Sequence, residues 1–109
     1  MSFSIKTSKT FEKELKKLVR KYPSLKNEFT QFVTQLESNP ATGTPLGNNL
    51  YKIRLAMASK GKGKSGGARV ITYVQTDDKT IVLLSIYNKG DKDSISDKEI
   101  RELLNKYGS

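Results

Sequence analysis

The chain has 109 residues, a formal net charge of +9, and neither cysteine nor histidine. This length suits one domain, which we expect to span residues 1–109. The missing residue types exclude disulfides, thiolate or imidazole metal sites and a histidine general base, so we expect no metal or other cofactor. The N-terminal segment is too charged for a signal peptide and no apolar run spans a membrane, which predicts a cytoplasmic protein without a membrane partner.

The charge is unevenly distributed. Residues 50–76 carry a net charge of +6 with no acidic residue, whereas residues 1–49 carry +4 and residues 77–109 carry −1. An acid-free block of this kind concentrates a positive field that attracts polyanions. A polyanion is therefore the expected partner, and a basic surface that merely keeps the protein soluble is the alternative.

The N-terminal half predicts a strand followed by two helices. Residues 3–7 alternate between apolar and polar as in a strand. A helix follows, which Ser8 or Thr10 can cap and which ends at Pro23. A second helix is predicted over residues 24–37. Both helices carry an apolar stripe that we expect to be core: Phe11, Leu15, Leu18, Val19 and Tyr22 in the first, and Leu25, Phe29, Phe32, Val33 and Leu36 in the second.

Period-two alternation replaces the helical pattern after residues 38–49, which are rich in proline and glycine and predicted to be a connecting loop. A second strand begins at Leu50, with Tyr51, Ile53, Leu55 and Met57 on one side. A glycine- and lysine-rich loop then precedes two further strands and a polar loop. These segments are residues 59–67 for the first loop, 68–76 and 80–87 for the strands, and 88–95 for the polar loop.

Ser96 and Glu99 form a capping-box pattern that begins a last helix, which Gly108 ends. The predicted order is therefore β-α-α-β-β-β-α. We expect an α+β fold in which two N-terminal helices pack on one face of an antiparallel four-stranded sheet.

The strand phase indicates a cluster of cations. Alternation places Lys52 and Arg54 on the side of their strand away from its apolar residues. Arg69 opens the next strand, and its facing stays open because Val70, Thr72 and Val74 also suit the core. A four-stranded sheet can gather the following residues on one open face: Lys52, Arg54, Arg69, Lys89 and Tyr87.

Clustered cations suit the cleavage of RNA by its own 2′-hydroxyl, because fixed positive charges stabilise the dianionic phosphorane of the transition state. A lysine held among other cations gives up its proton more readily and can serve as a base. A tyrosine or lysine could protonate the leaving 5′ oxygen. The alternative interpretation is that these side chains are solvated, or that they hold phosphates only to position the RNA.

The loop contains Gly63, Lys64 and Ser65, which are similar to the end of a phosphate-binding P-loop. A P-loop also needs a glycine where Ala58 stands and a helix where a strand is predicted, so nucleotide binding is rejected. We expect the loop to bind RNA phosphates through Lys60, Lys62 and Lys64. Solvated lysines in a flexible hairpin loop are the alternative.

Three stretches, LYKIRLA at residues 50–56, GKGKSGGARVI at 61–71 and IYNK at 86–89, resemble the RelE/ParE toxin superfamily, and within it the RelE/HigB-type branch. The resemblance covers nearly the whole chain. It implies the RelE-like microbial RNase fold and a toxin of a type II toxin–antitoxin system. Such a toxin is an endoribonuclease (mRNA interferase) that cleaves mRNA in the decoding site of the ribosome, inhibits translation and is neutralised by a cognate antitoxin.

The resemblance also implies roles for the cluster. Lys52 corresponds to the general base, and Arg54, Arg69 and Lys89 to groups that stabilise the phosphate and the transition state. RelE toxins use a tyrosine in or near the final helix, but this chain has serine and isoleucine in that region and Tyr107 lies too far along. Tyr87 is therefore taken as the substitute acid.

Other functions stay open beside the mRNA interferase. The same superfamily includes ParE-like gyrase inhibitors, and a plain RNA-binding module or a weakly active relative would share the fold. The retained set of Lys52, Arg54 and Arg69 favours the RNase. We also expect an acidic or amphipathic antitoxin segment to cover the basic surface and to contact or displace the last helix.

Overall fold

The computed structural model of this chain describes residues 3–58, 66–92 and 94–107. All the predicted helices and strands are present, together with one additional strand in the segment 38–49 that was predicted as a loop. The elements in chain order are β1 (Ser4–Thr7), α1 (Lys9–Lys21), α2 (Leu25–Ser38), β2 (Thr44–Gly47), β3 (Leu50–Leu55), β4 (Ala68–Gln75), β5 (Thr80–Asn88) and α3 (Asp97–Tyr107).

The sheet has five strands in the order β1-β5-β4-β3-β2. β1 pairs with β5 in parallel, with Ser4 opposite Thr80, and the remaining neighbours are antiparallel. The predicted antiparallel four-stranded sheet is therefore wrong on two points, the number of strands and the direction of β1. β2 escaped prediction because Pro45 and Gly47 are poor strand residues, which a strand tolerates at the edge of a sheet where β2 lies.

The larger core lies between α1, α2 and one face of the sheet. The apolar stripes of both helices face β3, β4 and β5, as their spacing predicted. The cap of α1 also contributes, because the Ser8 hydroxyl accepts the Phe11 N–H at 3.0 Å and donates to the Leu84 carbonyl at 3.0 Å. The fully buried side chains of this core include Phe11, Leu25, Met57, Val70, Ile81 and Leu83.

A second, smaller core lies on the opposite face, where α3 packs. Its buried members are Leu50, Ile71, Val82, Leu84, Tyr87 and Ile100. The sheet is thus covered on both sides: the two N-terminal helices lie on one face, as predicted, and α3 covers the opposite face, which the sequence left unassigned. None of the helices in the part of the chain that the structure describes is long and apolar enough to cross a membrane.

α1 packs on the face of the sheet and also forms hydrogen bonds with the edge of β5. β1 pairs with β5 only as far as Leu83, so the rest of that edge of β5 needs other partners. α1 supplies one, because the Glu14 carboxylate accepts the Ser85 hydroxyl at 2.9 Å and the Ile86 N–H at 3.2 Å. Buried backbone donors are costly without a partner, so Glu14 protects the end of β5 that leads to Tyr87.

Candidate active site

Three residues of the predicted cluster form a row across the sheet. Arg54 of β3 lies opposite Arg69 of β4, and Arg69 lies opposite Tyr87 of β5. Directly opposed residues of antiparallel strands project to the same face with Cβ atoms about 5 Å apart. The register therefore brings two guanidinium groups and a phenol side by side.

The row projects to the side of the sheet away from α1 and α2. The neighbours of Arg69 along β4, Ala68 and Val70, both belong to the core under those two helices. Since side chains alternate along a strand, Arg69 faces the other way, which resolves the facing that the sequence left open. Lys52 joins the same face, because it lies opposite Ile71, a residue of the core under α3.

The members of the cluster differ in their access to solvent. Arg54 is exposed and Lys52 half-buried, and neither forms an ion pair with any residue that the structure describes. Only 4% of Arg69 is exposed, and its Nη1 donates to the carbonyl of Ala68 at 3.1 Å. A nearly buried guanidinium is held rigidly, whereas the two outer cations are free to meet a ligand that arrives from solvent.

Gly67 fixes where β4 begins and hence where Arg69 stands. A Cβ on this residue would lie 2.1 Å from the carbonyl oxygen of Leu55 at the end of β3. Only glycine permits that approach of the two backbones. The glycine that precedes Arg69 in the resemblance motif therefore has a structural role at the β3–β4 junction.

Lys89 lies one residue beyond β5, and its N–H donates to the carbonyl of Gly67 at 3.1 Å. This bond brings its backbone to the start of β4, two residues from Arg69. Lys89 is half-buried. The structure thus assembles Lys52, Arg54, Arg69, Tyr87 and Lys89 at one end of three adjacent strands. Lys60, Lys62 and Lys64 lie outside the described residues.

Tyr87 is packed beneath the start of the last helix. Its ring is mostly buried, and the ammonium of Lys92 lies 5.7 Å from the ring centroid. Lys92 also pairs with Glu99 of α3. Two hydrogen bonds lower the pKa of the Glu99 carboxyl: the larger effect comes from Lys92 and the smaller from the backbone N–H of Ser96. The predicted capping box is confirmed by the bonds between Ser96 and Glu99.

A groove of about 600 Å³ adjoins the two outer cations. It runs along the outer edge of β3 beyond the end of β2, between α2 and the part of β3 that contains Lys52 and Arg54. The side chains of these two residues project to the face of the sheet away from α2. Polar side chains of α2, Gln31 and Gln35, line it together with Thr42 and Thr44. The groove is open and its lining is mixed, because apolar side chains of α2 and β3 and the carboxylate of Glu28 line it as well.

Glu14 is the residue near this site that the sequence prediction missed. It supports β5 immediately before Tyr87, and burial raises the pKa of its carboxyl despite the hydrogen bonds from Ser85 and Ile86 and the charge of Lys92. A signal was present in the sequence, because Glu14 falls between Phe11, Leu15 and Leu18 on the apolar stripe of its helix. A carboxylate at such a position indicates a buried polar contact.

Comparison with known proteins identifies the family. The family model described as "RelE toxin of RelE / RelB toxin-antitoxin system" matches residues 6–108. The chain belongs to the RelE toxin family. The resemblance drawn from the three sequence stretches is thereby confirmed at the level of the family.

Solved structures support the RelE fold of this family member. A mutant of the E. coli toxin RelE in the free state has a TM-score of 0.62 at 14% identity, and the match covers 99% of this chain and 96% of that one. The intact E. coli RelBE toxin–antitoxin complex gives 0.63 at 17% identity, covering 80% and 96%. The archaeal RelE–RelB complex from Pyrococcus horikoshii gives 0.53 at 23% identity, covering 83% and 98%.

Proposed function

We propose that this RelE-family toxin is an endoribonuclease that cuts mRNA in the decoding site of the ribosome and so inhibits translation. One observation carries the proposal: the register places Arg54, Arg69 and Tyr87 in a single row, with Lys52 on the same face. Family membership makes a toxin function the natural context for this cluster.

The roles follow from charge and access. Arg69, which is rigid and nearly buried, stabilises the negative charge that develops on the phosphorane. Arg54, which is exposed, binds the adjoining phosphate on the solvent side. Lys52 removes the proton of the 2′-hydroxyl as it attacks the phosphorus atom. The bond to the 5′ oxygen then breaks, and Tyr87 or Lys89 protonates that oxygen. The products are a 2′,3′-cyclic phosphate and a 5′-hydroxyl end.

The groove beside β3 offers a path for the RNA strand on either side of the scissile phosphate. Lys52 and Arg54 border it at the edge of β3, so a strand that rounds this edge from the groove reaches the face on which their side chains lie. The hydroxyl and amide groups of Thr42, Thr44, Gln31 and Gln35 are suited to hydrogen bonds with bases or ribose.

A cognate antitoxin is the second proposed partner. Structures of the E. coli and Pyrococcus horikoshii relatives are complexes of a toxin with an antitoxin. The net charge of +9 in this chain favours an acidic partner segment. Such a segment would neutralise the toxin by covering the row of cations.

An in vitro translation reaction with purified protein tests the activity directly. We expect truncated messages whose ends map to ribosome-occupied codons, and no cleavage of the same message without ribosomes. Arg54→Ala should reduce the cleavage rate about 100-fold, because it removes one charge-stabilising donor. The matched control is Arg101→Ala, which removes an exposed arginine of α3 that is not part of the row.

Arrest of DNA replication with intact messages would instead indicate the gyrase-inhibitor alternative. RNA binding without cleavage in the same reaction would indicate the plain binding module. Either result contradicts the proposed RNase.

Lys52→Arg separates a base from a phosphate contact. Arginine keeps the positive charge but does not lose its proton in proteins. We expect RNA binding to remain within about twofold while cleavage falls between about 100- and 10,000-fold, the usual contribution of a general base. Cleavage at the original rate in this variant would show that Lys52 only positions RNA.

A further inference from the structure

A second basic site lies away from the row of cations. A cavity of about 500 Å³ opens between the first turn of α1 and the last turn of α3. Its lining residues are Thr7, Ser8, Lys9, Thr10, Lys13, Leu103, Lys106 and Tyr107. Three of these eight are lysines and none is acidic.

The three lysines form a cluster of exposed positive charges. Lys9 and Lys13 are one helical turn apart on α1, and Lys106 approaches from α3. All three are exposed, and none forms a salt bridge or hydrogen bond through its side chain within residues 3–58, 66–92 and 94–107. Converging like charges repel one another, so a bound anion would relieve the repulsion.

The hydroxyl groups of the cavity divide into used and available donors. Ser8 is committed to the α1 cap and to the Leu84 carbonyl. The Thr7 hydroxyl donates at 3.0 Å to the carboxylate of Glu12, which lies outside the lining. The three ammonium groups and the Thr10 hydroxyl are left to meet a ligand, a donor set that suits a phosphate.

The position of the cavity relates it to the candidate active site. Thr7 pairs with Leu83 of β5, four residues before Tyr87, and β1 lies two strands from β4. With about 3.3 Å per residue and 4.8 Å between strands, the backbones of Thr7 and Arg69 are about 16 Å apart. The two basic sites therefore lie close enough to contact the same RNA molecule.

We propose that this cavity binds a backbone phosphate of RNA and serves as a second anchor beside the cleavage site. The inference deepens the proposed function and rests on it for the identity of the ligand as RNA. Lys16, Lys17 and Arg20 continue the basic surface along α1 from the cavity. The cavity contributes to RNA binding but not to cleavage, since none of its residues belongs to the row of cations.

Binding of a short single-stranded 2′-O-methyl RNA tests the anchor, because this probe lacks the attacking hydroxyl and is not cleaved. Fluorescence anisotropy at several salt concentrations compares the wild type with Lys13→Gln/Lys106→Gln. The control, Lys26→Gln/Lys98→Gln, removes the same charge from exposed sites outside the cavity. We expect about tenfold weaker binding for the cavity variant and under twofold for the control.

The salt dependence provides a second readout. The slope of log K against log salt should become shallower by about 0.7 in the cavity variant, the value for one lost phosphate contact with a single strand. Equal losses in both double variants would overturn the proposal, since they would indicate only the overall charge. A cavity variant that keeps RNA binding but loses a glutamate-rich peptide would also overturn it, in favour of a protein partner.

The cleavage assay keeps this proposal separate from the proposed function. If messages are cut but the cavity variant binds the probe like the control, the anchor alone is wrong. If no message is cut but the cavity variant binds RNA selectively worse, the anchor stands and the RNase assignment is wrong.

Discussion

Glu14 illustrates how one polar side chain can be both costly and necessary. Its carboxylate bonds to the Ser85 hydroxyl and the Ile86 N–H at the edge of β5. Burial nevertheless disfavours its charge and raises its pKa above 4.5. The hydrogen bonds need an acceptor at this place, but they do not need a negative charge.

Replacement of Glu14 by glutamine separates these two effects. A raised pKa in the folded state means that protonation stabilises the fold. This contribution is complete below the unfolded pKa, near 4.5, and is lost as the pH rises through the higher folded pKa. Glu14→Gln keeps a hydrogen-bond acceptor but has no buried charge. The free energy of unfolding of this variant, relative to that of the wild type, should therefore rise from acidic to neutral pH by up to about 1 kcal/mol. Urea denaturation at both pH values measures it.

Glu14→Ala is the matching variant that removes the acceptor. It should lower the free energy of unfolding by about 1–3 kcal/mol, because the donors of Ser85 and Ile86 lose their partner. If the glutamine variant instead became steadily less stable than the wild type as pH rises, the charge of Glu14 would be favourable and the raised pKa would be wrong.

At the level of the elements, local sequence patterns predicted the features that neighbouring residues determine, such as which side of a strand or helix faces the core. They missed the features that depend on residues far apart in the sequence, such as strand pairing. Alternation in β3 placed Lys52 and Arg54 on one side, and helical spacing identified the core residues of α1 and α2. The parallel pairing of β1 with β5 joins Ser4 to Thr80, a contact that no local pattern encodes. The facing of Arg69 likewise needed the register of three strands, since β4 is buried on both faces.

The junction of β3 and β4 depends on Gly67. Its φ is not positive, so alanine there meets a steric problem and no backbone strain. The added Cβ would lie 2.1 Å from the Leu55 carbonyl oxygen, which would force the two strands apart beside Arg54 and Arg69. Gly67→Ala should therefore cost about 2 kcal/mol or more in the free energy of unfolding and reduce message cleavage.

Gly90→Ala serves as the control for this junction. Gly90 is an exposed turn residue whose φ is also not positive, so alanine should change stability by less than about 0.5 kcal/mol. Equal stability of both variants would show that β3 and β4 adjust to a side chain at Gly67 without cost.

For the molecule as a whole, the two cores are unequal. The core under α1 and α2 contains most of the buried apolar residues, whereas α3 contributes a single buried side chain, Ile100, to the core on the other face. The free energy of local opening follows the amount of buried contact. α3 should therefore open more readily than the central strands, although it covers the sheet beside Tyr87 and forms one wall of the α1–α3 cavity.

Hydrogen exchange tests this uneven stability. Ile100→Ala removes the one buried side chain of α3, beside which other side chains of the helix are only partly buried, and should cost about 2–4 kcal/mol in the opening of that helix. We expect faster exchange of the α3 amides while the amides of β4 and β5 keep most of their protection, because the larger core is untouched. Leu103→Ala, at a half-buried position of the same helix, should have a smaller effect. Uniform acceleration across α3, β4 and β5 would show instead that the two cores unfold as one cooperative unit.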